Sequence, residues 1–452
     1  MKISTLNATA LASILVLAGG VAPALADETS ELKAAVQALQ KRIDQLEAKA
    51  KDAEDTNDRQ TDQIAKTKAG IGSWVGNFTW KGDFRYRNEN IDQEYVANRN
   101  RDRIRVRTGF VAKVNDTVKA EVELSTSETA GVAGNADPRS PNQTLTGDNS
   151  RKAFYYDLAY VEWQPTADWK FTAGKMKYPW TRPGANTYFF DSDVNPEGLA
   201  ANFTHGGFFG STFYNLLEER SPTGTGAASI ANGESTLFGG QVGYKFLLGD
   251  DKLTVGTSFF SFNNVKGWNA AYNVAAGGTG AYNGNSTDPV ATNCHFLGTT
   301  RVANCYAYGY QVWEAFGEYT TTLMDHPAVF WADYAHNSEA KNGLDTAYSL
   351  GVTYGKASDP GTWEVGYAWN HHEKDALFGQ FVDSDFGAGS TDAEGSVLKA
   401  GYAPARNWVI NGTYFINTTN NDRAATITGV PGVTTKFDRD YKRLQLDLNF
   451  KF

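Results

Sequence analysis

Cysteine occurs twice and methionine three times in 452 residues. Two cysteines in so long a chain exclude a disulfide scaffold. Beyond the N-terminus there is no apolar run of about 18 residues, which excludes a bundle of membrane-spanning helices. No G-x-S-x-G, P-loop or zincin pattern occurs, and the Gly-rich stretches lack the strand-to-helix context of a phosphate site. No catalytic residue, cofactor or metal is therefore expected. The formal charge of −9 sums 42 basic and 51 acidic side chains, and no nucleic-acid partner is expected. What the chain has is rings and glycine: 26 Phe, 22 Tyr, 11 Trp and 45 Gly. Disordered chains are poor in aromatics, so disorder is excluded too. The mean hydropathy is nevertheless negative, at −0.45. The fold must explain many rings in a polar average.

Residues 1–26 read as a secretory leader. Lys2 gives the positive end, Ala10 to Ala18 the short apolar core, and Ala24-Leu25-Ala26 the small-x-small cleavage site. From Leu32 the apolar positions step by four and three through Val36, Leu39, Ile43, Leu46, Ala50 and Ala53. This heptad places Val36 and Ile43 at a and Leu32, Leu39 and Leu46 at d, predicting a helical coiled coil over 27–70. β-branched a positions with Leu at d favour two strands, so a trimer needs the following domain to override them. A single amphipathic helix is the alternative.

From Trp74 the period becomes two. Phe78, Trp80, Phe84 and Tyr86 alternate with Lys81, Asp83, Arg85 and Arg87, and Ile104, Val106 and Phe110 alternate with Arg103, Arg105 and Arg107. Sixteen such segments are predicted between 76 and 452, joined by short turns alternating with longer excursions near 88–100, 126–152, 177–197, 218–235, 263–305, 371–394 and 418–439. Short turns on one rim, long loops on the other and an even strand number predict an all-β transmembrane barrel occupying 71–452. The pair around His205-Gly206-Gly207 is open to reading as one long strand. At the end of the chain Leu444, Leu446, Leu448, Phe450 and Phe452 alternate with polar residues. A last strand of this pattern, with its terminal Phe, is similar to the signal read by the outer-membrane barrel assembly machinery.

The stretch Thr172-Ala173-Gly174-Lys175-Met176-Lys177-Tyr178-Pro179-Trp180, followed by Asp191-Ser192-Asp193-Val194-Asn195-Pro196-Glu197-Gly198-Leu199, resembles the putative-porin family of Gram-negative outer membranes. The resemblance implies a signal peptide and coiled coil joined to a barrel of about sixteen strands. It implies an outer-membrane channel for passive diffusion of small hydrophilic solutes and ions, and no enzyme. A homotrimer set in lipid and lipopolysaccharide is expected. The competing expectation is a structural protein whose coiled coil tethers the outer membrane to the cell wall.

If the apolar faces meet lipid, the polar faces line water. Arg85, Arg103, Arg105 and Arg107, with Lys81, Lys113 and Lys119, then form a basic wall on the first three strands. In general porins the third long loop narrows the pore. By that resemblance Asp191, Asp193 and Glu197 are expected to face the basic wall across a constriction, setting up a transverse field. The alternative is structural pairing of the basic residues with Glu121 and Glu123 on the neighbouring strand. Tryptophans near strand ends, among them Trp80, Trp163, Trp169, Trp313 and Trp331, are expected in interfacial girdles. Cys294 and Cys305 are expected to form a disulfide at the base of the longest loop, contributing about 2–3 kcal/mol. A metal site with His295 is not expected, since two Cys and one His do not complete a structural tetrahedron. His371 and His372 are adjacent in the chain, so they point to opposite faces and do not converge.

Overall fold

A computed structural model describes residues 25–70, 75–128, 136–146, 149–219, 234–270, 282–288, 290, 293–297, 300–301, 304–419, 425–426, 435–436 and 438–452. The leader expected over 1–26 lies outside them except for its last two residues. The chain divides into two compact units, Met1–Val75 and Gly76–Phe452.

Among its described residues the first unit contains one long helix, α1 (Leu25–Gly70). No Gly or Pro interrupts residues 27–69, so every turn keeps its backbone bond, and Gly70 closes the run. The heptad stripe faces outward: Val36, Leu39, Ile43 and Leu46 are all exposed, at 47–62%. A lone helix in water does not hold such a stripe uncovered without a partner face.

The second unit is a closed antiparallel barrel. Its strands are β1 (Phe78–Gln93), β2 (Arg99–Lys113), β3 (Val118–Thr126), β4 (Phe154–Trp163), β5 (Trp169–Lys175) and β6 (Glu197–His205). They continue as β7 (Phe208–Glu218), β8 (Ser235–Leu248), β9 (Asp251–Asn263), β10 (Tyr310–Leu323) and β11 (His326–Asn337). The last five are β12 (Thr346–Gly355), β13 (Trp363–His372), β14 (Ala393–Ala405), β15 (Trp408–Thr419) and β16 (Arg439–Lys451). Among the described residues the sheet has seventeen strands, one of which is the two-residue Gln143–Thr144, so sixteen build the wall. β1 pairs with β16 from Asp83↔Lys451 to Gln93↔Tyr441, which closes the cylinder and leaves no free edge. The seam is sealed at its lower end by Phe452, whose backbone exchanges hydrogen bonds of 2.9 and 3.0 Å with Gly82. A Cβ on Gly82 would meet the Phe452 ring at 2.4 Å, so only glycine lets the terminal ring lie across the first strand.

The doubtful pair at 205–207 is two strands. Gly206 takes φ +57° at the turn and β6 pairs back on β7 through His205↔Phe208. The excursion expected at 88–100 is mostly strand, since β1 and β2 stay paired up to Ile91↔Arg99 and leave only residues 94–98 as loop. The long-loop rim then carries L2 (127–153), L3 (176–196), L4 (219–234), L5 (264–309), L6 (338–345), L7 (373–392) and L8 (420–438). Within L5, Cys294 and Cys305 are joined by a disulfide across 5.7 Å between Cα atoms, and the His295 ring lies on Trp268.

Outward side chains are apolar and exposed, as in Trp80, Tyr156, Leu199, Phe238 and Leu446. Trp163, Trp169 and Trp313 share that face, but Trp331 is buried inside, 8% exposed, because L3 packs on it. The inward face is not polar all round. From β7 to β14 it carries Phe213, Leu237, Phe260, Phe262, Val312 and Val397 toward the loop rim, all buried. These join Trp180, Phe189 and Phe190 of L3 and Leu377, Phe378 and Phe386 of L7 in one apolar cluster.

Candidate functional site

The opposite arc of the lumen, β16 with β1 to β3, is charged. Register puts Asp83, Arg85, Arg87 and Glu89 of β1 opposite Arg107, Arg105, Arg103 and Arg101 of β2. On the other side the same residues face Lys451, Asn449, Asp447 and Gln445 of β16. Residues directly opposite share a face, so the charges converge inside. They pair within the wall. Arg105 and Arg107 both reach Asp83 at 2.7 Å. Arg87 grips Asp447 with two bonds of 2.7 and 2.8 Å, and Arg101 and Arg443 hold Glu89 at 2.5 and 2.7 Å. Lys81 pairs with Glu121 and Glu123. Bidentate guanidinium–carboxylate geometry of this kind is what keeps buried charge tolerable.

Two loops fold in against this wall. L3 crosses the lumen from β5 to the far side, where the Gly184 N–H donates to Glu318 at 2.7 Å and the Asn186 amide to Asp333 at 3.2 Å. Gly184 has φ +59°, and a Cβ there would meet the Trp331 indole at 2.0 Å. That turn therefore requires glycine. L7 comes down beside L3 and is held by Arg139 of L2, which donates to the Gly389 carbonyl at 2.8 Å. Its Asp385 reaches the wall, 3.1 Å from Arg87 and 2.8 Å from Arg443.

The two loops present the same tripeptide to the gap. Asp191-Ser192-Asp193 of L3 and Asp383-Ser384-Asp385 of L7 line one cavity of 150 Å³ together with Arg85, Arg105 and Lys399. In each tripeptide the first carboxylate accepts from the N–H two residues on, at 2.9 and 2.8 Å. Asp191 also accepts from the Ser384 N–H at 2.8 Å, and Asp383 from the Thr187 hydroxyl. Burial, reinforced by Asp193 and Asp383, pushes the Asp191 carboxyl well above the usual range, and burial with Asp385 pushes Asp383 up. Burial works the same way on Asp385, but Arg443 and Arg87 overcome it and hold that carboxyl below its ordinary value.

Arg85, Arg103, Arg105, Arg107 and Lys81 thus all lie on the lumen wall. Lys113 and Lys119 do not reach the gap: Lys113 pairs with Asp116 at the short-turn rim, and Lys119 with Glu162 at 3.0 Å. Of the three acids expected to face the wall, Asp193 does, 3.7 Å from Arg107. Asp191 lines the same cavity while accepting from the Ser384 N–H of L7, and Glu197 pairs with Lys175 at the start of β6. Sequence reasoning missed Asp383, Asp385, Asp447 and Lys399. The repeated Asp-Ser-Asp was the available signal for the first two. His371 and His372 take opposite faces: His371 contacts Glu394 at 2.8 Å, while His372 is buried against Phe189 and Phe386.

Residues 91–295 and 308–452 match the protein family described as "Putative porin". Among solved structures the chain is similar to OprB of Pseudomonas putida at high pH, with 11% identity over 84% of this chain and 95% of that one and a TM-score of 0.49. It is also similar to an anion-selective porin from Comamonas acidovorans, with 13% identity, 83% and 99% coverage and a TM-score of 0.45. OmpT of Vibrio cholerae, an outer membrane protein in a trimer form, gives 14% identity, 83% and 99% coverage and a TM-score of 0.43. No curated protein matches the chain.

Proposed function

The chain belongs to the porin family whose model it matches over most of its length, and on that premise we propose how this channel of the outer membrane works. Small hydrophilic solutes and ions pass by diffusion through the gap between the β16–β3 wall and the paired L3 and L7 loops. There is no reaction; lumen width and the lining charges decide what passes. The observation that carries the reading is the polar cavity inside a closed barrel whose outside is apolar. Because Asp83, Glu89 and Asp447 of the wall and Asp193 and Asp385 of the loops offset most of the arginine charge, the channel discriminates weakly between anions and cations.

The acting unit is a homotrimer in lipid, with residues 1–26 a leader removed on export and 27–70 a coiled coil. The uncovered Val36–Leu46 stripe supports self-association of α1. Phe450 and Phe452, at the seam, act as the assembly signal. Reconstitution in a planar bilayer tests the whole reading: small stepwise conductances are expected, with a reversal potential close to zero in a salt gradient. Folded protein that gives no steps would defeat the channel; strong anion selectivity would restore an unneutralised basic wall.

A further inference from the structure

Among the described wall residues Arg85 stands apart from its neighbours. It is 9% exposed, has no carboxylate within ion-pair distance, and spends one Nη on the Asn142 amide oxygen at 2.6 Å. Its Nε has no hydrogen-bond partner. A guanidinium that lines a cavity with no carboxylate partner calls for an oxyanion there. Three further cations border the same cavity, Arg87, Arg105 and Lys399, and of these Arg87 is bound by Asp447. Arg105 shares the carboxylate of Asp83 with Arg107, which has Asp193 as a second partner at 3.7 Å. Lys399 extends over the Tyr188 ring, 5.5 Å from its centre. The loop side is the opposite pole. Asp191 and Asp383 are satisfied only by neutral N–H and O–H donors, and Asp193 has only a loose 3.7 Å contact with Arg107.

Resting on the channel reading, we infer that this gap is a subsite for small zwitterions of amino-acid size, their carboxylate at Arg85 and their ammonium toward Asp193 and Asp383. A simple ion of either sign gains from one pole and is repelled by the other. A solute carrying both charges gains from both without a net charge to desolvate. The cavity of 150 Å³ has room for a solute of about six heavy atoms.

The test uses the full-length protein in a planar bilayer at constant KCl, with β-alanine, propionate or propylammonium added at equal concentration. β-Alanine is expected to interrupt the current at least tenfold more than either single-charge analogue. Arg85→Gln should abolish that preference and Arg85→Lys should keep part of it. Asp383→Asn, which weakens the other pole, should reduce it independently should Arg85→Gln fail to assemble. The rim variant Lys113→Gln should behave as the parent. Equal interruption by the three solutes, or a β-alanine preference that survives both Arg85→Gln and Asp383→Asn, would overturn the subsite and leave the channel standing. An absence of conductance steps would overturn both.

Discussion

The two arcs of the lumen are built from the same alternating strands, yet they do opposite things with their inward faces. On β16 and β1 to β3 the inward side chains are mainly arginines and carboxylates; on β7 to β14 they include Phe213, Leu237, Phe260 and Val397. The difference is what covers them. L3 and L7 lie on the second arc with their own aromatics, so apolar burial is available on both sides of that wall. On the first arc the loops present carboxylates, and the wall answers with guanidinium groups. Alternation alone therefore fixes which residues point inward, while the loop above fixes whether inward means dry or wet.

Breaking the filled arc should have the largest effect. Trp180 of L3 touches Phe213, Phe190 and Phe260, with ring centres 4.4 to 5.2 Å apart. Trp180→Ala is expected to cost about 3–5 kcal/mol of barrel stability, read from chemical unfolding in detergent, and to enlarge the conductance step as L3 loosens. A variant with full stability and an unchanged step would mean that L3 is held elsewhere. Next in size is the charged arc. Asp447→Asn takes from Arg87 its bidentate partner and leaves Asp385 at 3.1 Å and Glu89 at 3.5 Å. A loss of about 3 kcal/mol is expected, the lower end for breaking a buried pair. If this arc is open water instead, the same unfolding measurement will show a change no larger than a surface pair gives.

How much of this was legible beforehand follows from the same contrast. The sixteen strands were readable because period two runs through most of their length, as in Ile104, Val106 and Phe110 against Arg103, Arg105 and Arg107. The basic wall was readable for the same reason, but its neutralisation was not. Asp447 is 360 residues from Arg87 in sequence, and only closure of the barrel makes them neighbours. The filled arc left a fainter trace. Near its loop end β9 reads Phe259, Phe260 and Phe262, rings on both faces, where alternation should have left one face polar. Such a lapse marks a strand buried on two sides. The inward fold of L3 and L7 depends on long-range fits, such as Gly184 under Trp331, that no local pattern encodes.

The smallest effect sharpens the boundary between the arcs, where the two Asp-Ser-Asp turns face Arg85. Asp191 and Asp383 have carboxyl groups raised by burial, whereas Asp385 is held low by Arg443 and Arg87. An acid with a raised folded value binds its proton before the unfolded chain does, so mild acidification adds stability through Asp191 and Asp383. Asp385 works in the opposite sense, giving stability that is lost only as the pH falls through its depressed value. On lowering the pH from 7 toward the ordinary carboxylate range, the loop pole should therefore lose charge while the Arg87–Asp385–Arg443 latch stays closed. The reversal potential in a salt gradient should drift toward anions without any change in step size. Asp191→Asn with Asp383→Asn should sit at the drifted value already at pH 7 and respond little to acid. A drift toward cations, or a step that widens with it, would mean that protonation opens the latch rather than merely discharging the loops.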